Sequence, residues 1–268
     1  MKIYSNDPLI LDALGDVLIQ NGDHPLAKST LMVSISLDPE GSPSKYLNLA
    51  QLLEGQQSLK NYQKALQLLG RDKALAKTEE ESTSVRDRMV SCLSAMAEIY
   101  LTDECFAENA ESECNRLLLE ALQLNPQHTE ALQLMASFKI SQQNKPEAIQ
   151  YLLKSRTTWS ENVAELPTYE FRVQTAKLFL ELEQWEPAAE VLDGLLEELD
   201  SNSEIWYLAG FANLTLDAEY SKECLEKCTL LLKKENCNDQ GIWTQVNDCM
   251  SKVHGYIEQQ AKEDNMEV

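Results

Sequence analysis

The chain has 268 residues, 43% of them hydrophobic and 25% charged, a makeup that buries a core and argues against a disordered polar chain. Its formal net charge is −21, a sign that repels nucleic-acid phosphates and anionic membrane surfaces and speeds encounter with a basic partner. The excess is uneven: residues 161–268 carry 23 acidic against 8 basic side chains, residues 1–160 carry 21 against 15, and no Lys or Arg occurs between Leu178 and Ser221.

In chain order, the first element pair is also the cleanest. Leu11, Leu14, Gly15 and Leu18 fall at helical spacing, a Gly22-Asp23 turn follows, and Ala27, Leu31 and Ser34 form a second helix that Pro39 closes. Gly15 and Ala27 are small where two helix backbones must approach closely. The next pair is irregular: Tyr46, Leu49, Ala50 and Leu53 run through Gly55 into Ser58, Tyr62 and Ala65, with about one turn missing between the two signatures. Met96, Ala97 and Tyr100 open a third pair, an acidic insertion spans Glu104 to Glu111, and Cys114, Leu118, Ala121 and Pro126 complete it.

Ala148 of the fourth pair lies 34 positions after Cys114, the period of the tetratricopeptide repeat, and that pair reads Leu132, Met135, Ala136, then Leu152 and Ser155. A fifth has Ala176, Phe179, Trp185, Ala188 and Leu192. The sixth has Trp206, Ala209 and Gly210, then Cys224, Cys228 and Leu231, its opening matching W-x2-L-G with Ala in place of Leu. Ile242, Val246, Met250, Val253 and Ile257 form a last amphipathic helix without a partner, as expected of a solenoid cap. Loops are expected over Asp38–Ser44, Lys77–Ser84 and Thr157–Thr168. The pattern predicts an all-α, right-handed superhelical solenoid of about six tetratricopeptide-type hairpins plus a C-terminal capping helix, in one domain over residues 1–268. The repeats run roughly over 7–39, 43–70, 85–126, 129–160, 168–201 and 203–235, and the cap over 239–262.

Chemistry-bearing motifs are sparse. The sequence shows no phosphate-binding glycine loop, no H-E-x-x-H and no G-x-S-x-G, and its three histidines, His24, His128 and His254, form no catalytic constellation. Cys224, Cys228, Cys237, Cys249 and His254 lack the C-x2-C knuckles of zinc sites, and the first two occupy helix-packing places. An enzyme, a metal and a cofactor are therefore not expected. Seven cysteines without a secretory signal point to a reducing compartment, and the polar start Met1–Asp7, followed by a stretch broken by Asp12 and Asp16, reads as neither signal peptide nor membrane span. The sequon at Asn213 falls within a predicted packed helix.

Function is then sought on the first helix of each pair, whose non-packing positions line the inner surface of such arrays. Those positions are Asp12, Asp16, Gln51, Glu54, Glu98, Glu130, Gln133, Glu170, Val173, Lys177, Glu181, Tyr207 and Phe211. Taken singly, Asp12, Asp16, Glu130 and Glu170 also suit a helix N-terminus, where a carboxylate meets the dipole. Together they predict an acidic groove that holds an extended Lys/Arg-rich segment, with Tyr207 and Phe211 as an apolar anchor. Asp12 and Asp16 would repel a carboxylate, which argues against an adaptor for the C-terminal tails of heat-shock chaperones.

The opening Asp7–Gly15 unit, the short Tyr46-Leu47-Asn48-Leu49-Ala50 with Ser58-Leu59-Lys60-Asn61-Tyr62-Gln63-Lys64-Ala65, and the ending Glu204–Phe211 with Cys224–Cys228 carry a narrower likeness. In these the chain resembles the tetratricopeptide-repeat assembly chaperones dedicated to a large-subunit ribosomal protein. The resemblance implies a non-enzymatic chaperone that cradles the protein's long basic loop and accompanies it from cytoplasm to nucleus. The charge adds the expectation of no direct nucleic-acid or membrane binding, and the absence of motifs that of no cofactor. The alternative expectation is a general tetratricopeptide scaffold in a multiprotein assembly.

Overall fold

The computed structural model describes residues 7–160 and 166–264, and among them thirteen α-helices and no strand. They form two compact units, residues 1–144 and 145–268. In the first unit α1 (Pro8–Gln20) pairs with α2 (His24–Leu37), α3 (Ser44–Gln51) with α4 (Gly55–Leu75), and α5 (Glu79–Leu101) with α6 (Ala110–Leu124), before α7 (Thr129–Ser141). In the second, α8 (Lys145–Ser160) is followed by α9 (Tyr169–Glu181) with α10 (Trp185–Glu198), α11 (Ser203–Ala212) with α12 (Ala218–Lys234), and α13 (Gln240–Asp264).

Local chemistry sets the helix ends. Asp7 accepts from the Leu9 N–H, Asp23 from Leu26, His128 from Ala131, Thr168 from Phe171 and Asp217 from Tyr220, each satisfying a donor that the first turn leaves open. The first helices of three pairs end in the same way. Gly22, Gln143 and Glu183 adopt left-handed φ of 76°, 58° and 59° while the next residue's N–H reaches back to Leu18, Lys139 and Phe179, the Schellman closure. Glycine takes that conformation without strain; Gln143 and Glu183 do not.

Packing explains the small residues. A Cβ on Gly15 would meet Leu31 Cγ at 2.8 Å, and one on Gly210 would meet Leu225 Cγ at 2.7 Å and the Ser221 carbonyl at 3.2 Å. The Ser221 hydroxyl donates to the Gly210 carbonyl at 2.6 Å, and Ser58 donates to Ala50 at 2.8 Å, so two hairpins are pinned by the same hydroxyl-to-carbonyl bond. Ala27, Ala97, Ala136, Ala148, Ala176 and Ala188 are fully buried.

Two expected loops are corrected. Residues 79–84 are helical, because Thr78 and Glu81 form a capping box and Glu79, Glu80 and Glu81 favour the N-terminal turn; α5 therefore starts six residues before the expected repeat. Residues 157–160 extend α8: Thr157 and Thr158 return their hydroxyls to the Lys154 and Ser155 carbonyls, and buried Trp159 lies 4.2 Å below the Arg156 guanidinium. The rest of that expected loop, 161–165, lies outside the described residues. Lys45 was not foreseen as core: its side chain is wholly buried, with Asp38 at 3.6 Å as its ionic partner.

Candidate functional site

The candidate surface is best built from α1, α3, α5 and α7 of the first unit. Asp12 is half-buried and accepts the Ser34 hydroxyl at 2.5 Å, which fixes its carboxylate against the second helix of its own pair. One turn on, exposed Asp16 accepts the Asn48 amide of α3, linking consecutive first helices. Burial pushes the Asp16 pKa up, the Asn48 bond pulls it down, and repulsion from Asp12 adds to the rise.

A second carboxylate group lies across α5 and α7, which pack together. Glu98 stays open to solvent along part of its side chain, yet the protein around its carboxyl raises its pKa, and Glu130 and Asp103 raise it further by repulsion. Glu130 is exposed in the first turn of α7. Gln133, a turn away, is only 6% exposed and belongs to the packing.

Gln51 and Glu54 belong to a different edge. Gln51 ends α3 and Glu54 precedes α4, both exposed, and Glu54 lines a cleft of about 770 Å³ with Lys28, Gln56, Asp103 and Glu104. Across it the Gly55 N–H donates to Asp103 at 3.3 Å and the Gln56 amide donates to Glu104 at 3.0 Å. From sequence Glu104 is only the start of an acidic insertion and Asp103 is not singled out, because both follow the helix expected to carry inward positions.

In the second unit Glu170 and Glu181 are exposed at opposite ends of α9, about 16 Å apart along the helix, so they form no cluster. Between them Lys177 pairs with Glu204 of α11 at 2.7 Å. Tyr207 and Phe211 stack with ring centroids 6.4 Å apart, and Trp185 meets Phe211 edge-on at 5.7 Å. Tyr207 and Phe211 pack against the buried cluster of Leu225 from α12 with Cys249 and Val253 from α13. Burial raises the Tyr207 pKa first, then Cys249 and Cys228.

The cysteine chemistry follows from burial. The thiols of Cys92, Cys114 and Cys224 are pushed up to about 12 and those of Cys228 and Cys249 to about 11, all chiefly by desolvation. Cys105 stands exposed on the α5–α6 turn. Asn213 of the sequon is 6% exposed and donates to the Ala209 carbonyl at 3.0 Å.

No family model matches the chain. It is 29% identical to a probable assembly chaperone of rpl4 from Schizosaccharomyces pombe, over 99% of this chain and 86% of that protein. A protein of the same description from Emericella nidulans is 30% identical over 77% of this chain, an alignment that spans 55% of that longer relative. Among solved structures, the assembly chaperone of RpL4, Acl4, superposes with a TM-score of 0.72 at 28% identity, covering 79% of this chain and 84% of that one. Tetratricopeptide proteins of lower identity share the fold. Repeated hairpins with small residues at their crossings, joined to likeness along nearly the whole sequence, make this chain a tetratricopeptide-type repeat protein similar to the assembly chaperones of rpl4.

Proposed function

We propose that the chain is a non-enzymatic chaperone of a large-subunit ribosomal protein of the rpl4 type. The observation that carries this reading is the similarity to a probable rpl4 assembly chaperone over 99% of the chain and 86% of the relative. The physical support is two groups of carboxylates in the first unit, Asp12 with Asp16, and Glu98 with Glu130 and with Asp103 just past the end of α5. Burial raises the pKa of Asp16 and of Glu98, and the neighbouring carboxylates add repulsion that a Lys or Arg side chain relieves, so a cationic guest gains affinity there.

A ribosomal protein's basic segment, matched to RNA phosphate, binds other polyanions when it is free; an acidic helical face substitutes for the RNA until the denser charge of rRNA outcompetes it. Capture in the cytoplasm and delivery to the nucleus is the localisation that this role requires. The decisive measurement is titration of the purified chain with rpl4 at rising salt, for the wild type and for Asp16→Lys/Glu98→Lys/Glu130→Lys. The wild type binds and weakens with salt, and the variant, still helical, loses about a hundredfold. Equal binding by both proteins would turn the reading into that of a scaffold that recognises shape.

A further inference from the structure

Several first helices that pack on the pair before them carry two positions seven residues apart, five before and two after the small crossing residue. They are Cys92 and Ile99 around Ala97, Ala131 and Phe138 around Ala136, and Ile205 and Ala212 around Gly210. Cys92, Ala131, Phe138, Ile205 and Ala212 are all 5% exposed or less. α13, which has no second helix, repeats the pattern with Val246 and Val253, at 1% and 0%. The contacts agree: α7 packs on both α5 and α6, α11 on both α9 and α10, and α13 on both α11 and α12.

On α1 the same two positions, around Gly15, are Ile10 and Val17, and they are 53% and 50% exposed. Ala13 between them is exposed as well, so an apolar stacking stripe stands uncovered among the described residues. Its charged surroundings have one sign. The α1–α2 pair carries Asp7, Asp12, Asp16 and Asp23, and its one formal cation, Lys28, lines the cleft beside Glu54. A second copy of this chain would bring the same carboxylates together, whereas a cationic partner would be attracted. Val17 also adjoins Asp16, so the stripe is continuous with the acidic surface assigned to the client.

We infer that the Ile10–Val17 face docks an amphipathic, Lys/Arg-flanked helix of the same client, which stacks there as those first helices stack on the pair before them. This rests on the chaperone reading and adds a second, apolar contact to it.

The test uses the full chain, rpl4, and a Lys/Arg-rich peptide from rpl4. Ile10→Ser/Val17→Ser, which leaves the charge unchanged, is expected to bind the peptide like the wild type and to bind rpl4 about tenfold more weakly, while Glu98→Lys/Glu130→Lys loses affinity for both. A benzoylphenylalanine replacing Val17 should crosslink rpl4 within one amphipathic helical segment. Unchanged rpl4 affinity in the Ile10/Val17 variant overturns the inference. So does a wild-type dimer that this variant dissolves, which would make the occupant a second copy. A variant that melts several degrees below the wild type overturns it too, since the face would then be covered by the chain's own residues. A wild type that binds neither probe overturns the chaperone reading itself, and this inference with it.

Discussion

The two units distribute their acid differently. Residues 145–268 hold the larger excess, 24 acidic against 11 basic, yet much of it lies on second helices: Glu186, Glu190, Asp193, Glu197 and Glu198 on α10, and Glu219, Glu223 and Glu226 on α12. Several have local partners, as Glu198 does in Arg172 and Asp193 in the Tyr220 hydroxyl. The first unit is closer to balance in charge, but it brings Asp12 beside Asp16, and Glu98 beside Glu130 and beside Asp103 just past the end of α5. Net charge therefore speaks to solubility, whereas crowding of carboxylates marks the surface proposed above for a cationic guest.

The largest expected effect sets these two kinds of acid against each other. Reversing Asp16, Glu98 and Glu130 to Lys should cost about a hundredfold in rpl4 affinity, whereas reversing Glu186, Glu197 and Glu226 should cost about threefold, through long-range attraction alone. Equal losses, measured by titration calorimetry at physiological salt, would erase the distinction.

Next in size is a change confined to the second unit. Gly210→Ala places a methyl against Leu225 and the Ser221 carbonyl and should destabilise by about 2 kcal/mol, read from the urea midpoint, with the pH response assigned to Glu98 unaltered.

A smaller effect sharpens the account of the first unit. Because the folded protein raises the Glu98 pKa above its unfolded value, the folded state holds that proton more tightly. Stability assigned to Glu98 is then present at low pH and is lost as pH rises through the raised pKa. Glu98→Gln should melt about 1 °C higher near neutral pH, lack that part of the pH dependence, and bind rpl4 more weakly. A variant that melts lower would mean that the carboxylate is stabilising where it stands. Of similar size, Glu183→Gly relieves a left-handed residue and should add about 0.5 kcal/mol, with Gln143→Gly its counterpart in the first unit.

Much of the architecture was legible because a repeat states its rule several times. Gly15 and Ala27 announce a close crossing, and the packing around Gly15, with full burial of Ala27, bears this out; Gly210 repeats it in the sixth pair. The start of α5 was hidden because Thr78-Glu79-Glu80-Glu81 looks like a solvated linker when read by composition, and only its hydrogen bonds reveal a cap. Lys45 escaped notice because a cation at a stacking position is unexpected until Asp38 is seen beside it. For the candidate site, the expected inward positions of α1 and α5 could be counted, but the structure's partners, Asn48 for Asp16 and Asp103 for Glu98, lie on other elements or past a helix end. Tyr207 and Phe211 read as free aromatics at inward spacing; the sequence cannot tell which of the neighbouring helices packs against them, and α13 does.

The burial of the cysteines has a practical side. At neutral pH thiols raised to about 11 or 12 hold almost no nucleophilic thiolate, whereas Cys105 sits in the open one residue past Glu104, lining a neighbouring opening with Tyr100, Glu111 and Gln142. Brief maleimide treatment of the native chain should therefore favour a dye there over half-buried Cys237, giving a fluorescent reporter of guest arrival without engineering a residue.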